Sequence, residues 1–215
     1  MKLYYAPLAC SMAMRISLYE AGGSAEFVCV DIHTNPSARL MADGSDFFAV
    51  NPMGQVPAIR TDDGELIVEN PVVLQYLADQ YPESSLAPRG GIGRYRLQQW
   101  LNFISTELHK ATFLPLLTRN SPEGAKAYAR QKLPLRFGYL SKHLEGRDFL
   151  LDQFTVADAY LTTVLNWSTY ASIDLAEWPR LHGYLGAMLK RPSVSRALSE
   201  EVKVYAEEQA RRAVA

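Results

Sequence analysis

A Pro-, Gly- and Ser-rich segment divides the chain into two stretches whose hydrophobic residues recur differently. Between Tyr81 and Gly93 the sequence reads YPESSLAPRGGIG, which has no periodicity and favours turns. Before this segment, short extended runs alternate with helical patterns, as in α/β units. After it, apolar residues recur three and four positions apart, the spacing of one helix face. The sequence therefore predicts an α/β domain over residues 1–81, a linker over 82–92 and an all-helical domain over 93–215.

The α/β part is expected to follow the order βαβ(α)ββα. Runs rich in β-branched and aromatic residues predict its strands, and turn residues mark where they end. The predicted elements are strands at Lys2–Ala6, Glu26–Ile32, Pro57–Thr61 and Glu65–Glu69 and helices at Ser11–Ala21 and Pro71–Gln80. The polar stretch His33–Asp46 contains Pro36 and Gly44 and is expected to be a loop. Later Gly and Pro residues divide the remainder into about five helices.

Composition and charge exclude several classes of function. The 215 residues carry a formal net charge of −1, and the Lys and Arg residues are dispersed. Because binding to a phosphate backbone needs a basic stripe, no nucleic-acid partner is expected. No stretch approaches the roughly 20 apolar residues of a membrane span, and Pro7 and Ser11 interrupt any signal peptide. Cys10 and Cys29 fit neither a disulfide framework nor a zinc spacing, which predicts a cytoplasmic protein with two thiols and no metal.

Cys10 follows Pro7 at the junction of the first predicted strand and helix. A helix N-terminus favours an anion there, because unpaired N–H groups and the helix dipole stabilise a thiolate, either its own or that of a bound thiol. A lone cysteine is also a common small buried residue, and that alternative stays open. No second cysteine lies within three residues, so any disulfide of Cys10 would form with a small external thiol. Cys29 lies inside a predicted strand and is expected in the core.

Two corners of the α/β part are candidates for binding a small peptide. Pro57 opens a predicted strand and is a candidate for a cis bond, which would turn the backbone groups of Val56 outward to pair with an extended peptide. The alternative is an ordinary proline at the start of a strand. Glu69 and Asn70 precede the next helix, where an acceptor side chain and free N–H groups would suit a zwitterion. The alternative there is helix capping without a ligand.

A polar stripe and a capping motif stand out in the helical part. The stripe has helical spacing, lies opposite the apolar stripe of Leu97, Leu101, Ile104 and Leu108, and consists of Asn102, Ser105, Thr106 and His109. Uncharged hydrogen-bonding residues ending in His favour a cleft wall, with a solvated surface as the alternative. Thr155 followed by Asp158 predicts a structural capping box at the start of an apolar helix.

These residues together resemble the glutathione transferases, most closely the bacterial beta class. The motifs that carry the resemblance occur in family order over nearly the whole chain, and they are Tyr4–Ser11, Phe48–Pro57, Gln75–Asp79, Trp100–Lys110 and Phe154–Tyr160. The resemblance implies an α/β thioredoxin-like N-terminal domain that binds glutathione. It also implies an all-α C-terminal domain that lines a hydrophobic co-substrate site, and a homodimer.

The resemblance also implies a role for individual residues. Cys10 and His109 would be catalytic, with Cys10 facing the glutathione sulfur and His109 approaching it from the helical domain. The residues implied in glutathione binding are Cys10, Ser11, Arg39 at the glycyl carboxylate, Val56 and Pro57 at the cysteinyl backbone, Glu69 and Asn70 at the γ-glutamyl end, and Asn102, Thr106, Glu107, Leu108 and His109. Asn102 or its neighbours would reach a glutathione bound to the partner subunit. Asn70 replaces the usual Ser or Gly, and the loop 34–46 is longer than the class predicts.

The function expected from these features is conjugation of the glutathione thiolate to hydrophobic electrophiles, with glutathione as co-substrate. Because Cys10 stands where other classes have a Tyr or Ser hydroxyl, a mixed disulfide with glutathione is an alternative. It would support thiol–disulfide exchange or peroxide reduction. A third alternative is a protein of this fold that binds ligands or partners without catalysis, since fold does not fix function.

Overall fold

A mixed sheet of five strands organises the N-terminal part of the computed structural model, which describes residues 1–33 and 37–214. Its strands are β1 Lys2–Tyr5, β2 Glu26–Asp31, β3 Leu40–Met41, β4 Ala58–Arg60 and β5 Leu66–Val68, in the order β3-β2-β1-β4-β5. Strand β1 is parallel to β2, and the β1–β4, β4–β5 and β2–β3 pairs are antiparallel. The predicted thioredoxin-like class is confirmed.

One helix connects β1 to β2, and a second helix follows β5. Helix α1, Met12–Glu20, is buried along most of its length, and α2 covers Asn70–Gln80. One face of the sheet encloses a core cluster of Tyr4, Ala6, Val30, Phe47, Val56 and Ala58. The site residues at the ends of β1 and before β4 therefore rest on a packed layer.

Strand β3 lies in the stretch 33–46 that the sequence predicts as a loop. Leu40 and Met41 pair with Asp31 and Val30 at the edge of the sheet. Two residues are too few to show the alternation that identifies a strand. Residues 34–36, part of the segment expected to be longer than in the beta class, lie outside the described residues.

Helices make up the second part of the chain. Helix α3, Gly91–Phe103, continues through a π-helical segment at Ile104–Phe113 into α4, Leu114–Leu117, and is followed by α5 Glu123–His143, α6 Val156–Leu165 and α7 Pro179–Leu189. Every residue of α6 is buried. The predicted capping box is confirmed, since Asp158 accepts the Thr155 backbone N–H at 2.9 Å.

The last helix, α8 Pro192–Val214, groups with the N-terminal part. The compact units are Met1–Ser84 with Pro192–Ala215, and Ser85–Arg191. The sequence places this helix in the second domain because its pattern is helical, but α8 packs along α1. The folding-domain boundaries 1–81 and 93–215 stay a prediction. Among the described helices, none combines the length and apolar character that crossing a membrane requires.

Candidate functional site

Cys10 lies in the tight turn between β1 and α1. The turn is closed by backbone hydrogen bonds from Ala9 N to Ala6 O at 3.2 Å and from Met12 N to Ala9 O at 3.0 Å. Cys10 is 9% exposed, and its thiol donates to the Val56 carbonyl oxygen at 3.4 Å. The expected position just before a helix N-terminus is confirmed, and the sulfur also contacts the residue that precedes Pro57.

Ser11 is fully buried and caps no N–H of α1 with its side chain. Its hydroxyl donates to the Ala6 carbonyl at 3.1 Å and accepts the Ala6 N–H at 3.2 Å. Because a hydroxyl has a single proton, this geometry directs the proton of the Ser11 hydroxyl to Ala6 O. Ser11 thereby fixes the end of β1, and its expected role in glutathione binding stays a prediction.

The Val56–Pro57 peptide bond is cis, as the sequence suggests. Asn51 holds the preceding turn, with its amide donating to Gln55 O at 2.8 Å and its side-chain oxygen accepting from Met53 N at 3.1 Å. Sequence reasoning missed this role, although Asn-Pro-x-Gly is a turn signal. Gly54 is required within the turn, since its φ is +59° and a Cβ would lie 2.5 Å from the Phe48 ring.

Asn70 joins the second corner to the first. Its side-chain N–H donates to the Cys10 carbonyl at 3.2 Å, across 60 residues of sequence. Asn70 is only 5% exposed, and its side-chain oxygen has no hydrogen-bond partner among the described residues. Glu69 precedes it with a φ of +67°, a strained value for a side chain of this size. The structure therefore brings Cys10, Val56 and Asn70 together and leaves one buried acceptor unsatisfied.

Arg39 lies beside the turn that leads to Val56. Its guanidinium donates to the Ile32 carbonyl, and its Cγ would lie 3.2 Å from a Cβ at Gly54. The Arg39 Nε is buried and has no hydrogen-bond partner in the described parts of the chain. The role expected for Arg39 at a glycyl carboxylate stays a prediction.

Cys29 differs from Cys10 in both exposure and chemistry. It is half-buried rather than in the core, and its thiol donates to Glu208 at 3.2 Å. Burial, together with Glu208, raises the pKa of Cys29 to about 12. A thiol that stays protonated near neutral pH is a poor nucleophile, so Cys29 is not a reactive cysteine.

The residues of the polar stripe and its neighbours in the second unit differ in exposure and in hydrogen bonding. Asn102 and Thr106 are exposed, and each is bonded along its own helix, to Gln98 O at 2.9 Å and Asn102 O at 3.0 Å. Glu107 forms an ion pair with Arg136 on α5. The Leu108 side chain is fully buried, so any ligand contact at that position would involve its backbone.

His109 is the buried member of that stripe. It is 8% exposed, its Nδ1 lies 2.8 Å from the Tyr160 hydroxyl, and its ring packs edge-on against Trp167 at 5.0 Å. Burial, with a smaller contribution from Lys110, lowers the pKa of His109 to about 4. The imidazole is therefore neutral near pH 7 and carries one ring proton.

Comparison with known proteins identifies the family. Residues 9–80 match the family model described as "Glutathione S-transferase, N-terminal domain", and residues 103–192 match "Glutathione S-transferase, C-terminal domain". "Glutathione S-transferase GstA" of Escherichia coli O157:H7 is 42% identical over 203 residues, which are 94% of this chain and 98% of the relative.

Two solved structures extend the comparison. A sphingomonad glutathione S-transferase complexed with glutathione is 44% identical, with a TM-score of 0.87 over 94% of this chain and 98% of its own. The bacterial beta class enzyme of Sphingomonas chungbukensis is 42% identical, with the same TM-score and the same shares of the two chains. This chain therefore belongs to the glutathione S-transferase family and to its bacterial beta class.

Proposed function

We propose that this protein conjugates the sulfur of glutathione to hydrophobic electrophiles, with Cys10 and His109 as the catalytic residues. The observation that carries the proposal is the cluster at the start of α1, where the Cys10 thiol, the Val56 carbonyl and the Asn70 amide are hydrogen-bonded in series. The glutathione thiol loses its proton to solvent, and the resulting sulfur anion forms a C–S bond with an electrophilic carbon, from which a halide leaves or at which an epoxide C–O bond opens. In this proposal the Cys10 thiol turns from the Val56 carbonyl and donates to that anion, beside a helix N-terminus.

The γ-glutamyl end of glutathione binds at the start of α2 in this proposal. The Asn70 N–H is already used by Cys10 O, whereas its side-chain oxygen is a buried acceptor without a partner among the described residues. That oxygen and the Glu69 carboxylate suit an ammonium group, and the N–H groups of the first turn of α2 suit the carboxylate. Asn70 thus serves the amino group of the γ-glutamyl end.

The remaining contacts follow the family pattern. Val56 and Pro57 pair with the cysteinyl backbone, and Arg39 meets the glycyl carboxylate. The segment containing Thr106, Glu107 and Leu108 contributes to the same binding site, and His109 supplies a neutral imidazole to the sulfur. Neither cysteine forms a disulfide in the described chain, which suits a reducing cytoplasm.

We also propose a homodimer in which Asn102 reaches the glutathione of the partner subunit. Large apolar side chains are exposed on two helices of the second unit. On α3 they are Ile92 at 68% and Tyr95 at 69%, and on α5 the most exposed is Leu135 at 74%. Exposed apolar groups of this size on neighbouring helices favour an interface between proteins.

The test is the rate of 1-chloro-2,4-dinitrobenzene conjugation against glutathione concentration, for the wild type and Cys10→Ala, with mass spectrometry of the intact protein. Saturable conjugation that survives in Cys10→Ala with a several-fold lower rate supports a transferase in which Cys10 supports the sulfur. A glutathione adduct on Cys10 with negligible conjugation would instead show thiol–disulfide exchange. Absence of both, with no retention on immobilised glutathione, would leave a non-catalytic binding protein.

A further inference from the structure

Tyr160 lies on the most deeply buried helix of the second unit. Helix α6 is buried at every position, and Tyr160 itself is 0% exposed. The N-terminus of α6 is held by Asp158, which accepts hydrogen bonds from Leu150 N and from the Tyr184 hydroxyl, each at 2.9 Å. A side chain on such a closely packed helix has little freedom to move, so the Tyr160 hydroxyl is held in a fixed position.

His109 lies in the π-helical segment and contacts the Tyr160 hydroxyl. Thr112 Oγ donates to Glu107 O at 2.7 Å, a contact five residues back that accompanies the wider turns of that segment. The His109 Nδ1 lies 2.8 Å from the Tyr160 hydroxyl, and the two rings are nearly perpendicular at 89°. Trp167 packs against another side of the imidazole. The ring is therefore held by packing and by one defined polar contact.

The direction of that contact follows from the acidity of the two groups. A phenol O–H is a stronger proton donor than the N–H of a neutral imidazole, and an imidazole nitrogen is a stronger acceptor than a phenol oxygen. The favoured pairing is therefore O–H···Nδ1, and the single proton of the neutral ring then lies on Nε2.

We propose that Tyr160 is a positioning residue that donates its phenol proton to His109 Nδ1 and thereby fixes His109 as an Nε2–H hydrogen-bond donor. This inference rests on the proposed role of His109 at the glutathione sulfur. With its proton on Nε2, His109 stabilises the sulfur anion by donating to it. The thiol proton then passes to solvent, because the other ring nitrogen is occupied by Tyr160.

The direct measurement is the tautomer of His109 in ¹⁵N-histidine-labelled protein, read from long-range ¹H–¹⁵N spectra and assigned with His109→Gln. The wild type is expected to show Nε2 protonated and Nδ1 unprotonated. Tyr160→Phe keeps the ring and removes the hydroxyl, so its spectrum is expected to show a tautomer mixture. A wild-type spectrum with Nδ1 protonated overturns the proposal.

Steady-state kinetics with glutathione and 1-chloro-2,4-dinitrobenzene give the second readout. Tyr160→Phe is expected to lower kcat about tenfold, the value of one hydrogen bond, with the KM for glutathione nearly unchanged. The matched control is Tyr184→Phe, which removes another buried phenol hydroxyl, bonded to Asp158 instead of His109. Both variants are checked for folding by circular dichroism before assay. Equal kcat values for the two variants contradict the proposal.

The two measurements separate this inference from the proposed function. If His109→Gln conjugates at the wild-type rate, the catalytic role of His109 fails. The tautomer spectra of the wild type and Tyr160→Phe then still decide whether Tyr160 sets the protonation of the ring.

Discussion

Asn70 is the residue at which an unsatisfied buried acceptor coincides with a departure from the class pattern. Asn70→Ala removes that acceptor and the bond to the Cys10 carbonyl. We expect the KM for glutathione to rise about tenfold, because a hydrogen bond to a charged group contributes roughly 1.5–3 kcal/mol. Titration of conjugation rate with glutathione measures it. Gln75→Ala on the same helix, which removes the bond from the Gln75 amide to Pro71 O, is the control and should keep the wild-type KM.

The neutral His109 predicts a dependence of stability on pH. Its pKa falls from an ordinary 6.5 to about 4 in the folded state because the ring is buried. Between these values the unfolded chain binds more protons, so the contribution of His109 is complete above pH 6.5 and is lost as the pH falls toward 4. The loss amounts to about 3 kcal/mol.

This pH dependence is measured as the difference in free energy of unfolding between the wild type and His109→Gln. Burial raises the pKa of Glu201 from 4.5 to about 7, which produces the opposite slope over that range. Urea unfolding of the wild type and His109→Gln at several pH values cancels this second effect. The free energy of unfolding of the wild type, relative to that of His109→Gln, should fall below pH 6. If the two free energies of unfolding change in parallel down to pH 4, the assigned pKa is contradicted.

At the scale of elements, α8 is bound to the turn that carries Cys10. The fully buried Glu201 accepts the Leu8 N–H at 2.7 Å and the Arg15 Nε at 3.1 Å. The Arg15 guanidinium lies 3.8 Å from the centre of the Phe27 ring, so the pair is enclosed on several sides. Leu8 has a φ of +60°, and the bond to Glu201 helps to hold this strained backbone in place.

Removing the carboxylate of Glu201 is therefore expected to be costly. Glu201→Ala leaves a buried guanidinium without that partner, and we expect the free energy of unfolding to fall by about 3 kcal/mol. Glu200→Ala is the matched control, because Glu200 also contacts Arg15, at 3.1 Å, but its side chain is 39% exposed. Glu200→Ala should lower the free energy of unfolding by less than about 1 kcal/mol. Urea unfolding at one fixed protein concentration compares the two, and equal losses would argue against the buried tether.

The apolar spacing predicted the helices well but not how they are wound or where they pack. Leu97, Leu101, Ile104 and Leu108 satisfy an α-helix pattern, yet the backbone over Ile104–Phe113 is π-helical. Such winding depends on contacts made far along the chain, such as that of His109 with Tyr160. The same limit explains α8, whose helical pattern does not specify that α1 is its partner.

At the scale of the whole molecule, the two-part organisation and the family could be predicted from sequence. The start of α1 after Cys10 and the Thr155 capping box are local signals, and each is found in the structure. The Asn70 contact with Cys10 joins residues 60 positions apart, and no local pattern encodes it. A single sequence therefore identified candidate residues but not their hydrogen-bond partners.

The proposed homodimer buries an exposed apolar pair of side chains on α3. Ile92 and Tyr95 lie three positions apart on α3, so both face the same side and both are largely exposed. Burying this pair against a second copy removes apolar surface from water, and a charge placed there opposes that burial. Tyr95→Glu is expected to shift the protein from dimer to monomer at micromolar concentration, as measured by light scattering after size-exclusion chromatography. Tyr170→Glu, at a site 65% exposed outside these helices, should remain dimeric. A monomeric wild type would refute the dimer itself, whereas a dimeric Tyr95→Glu would place the interface on another surface.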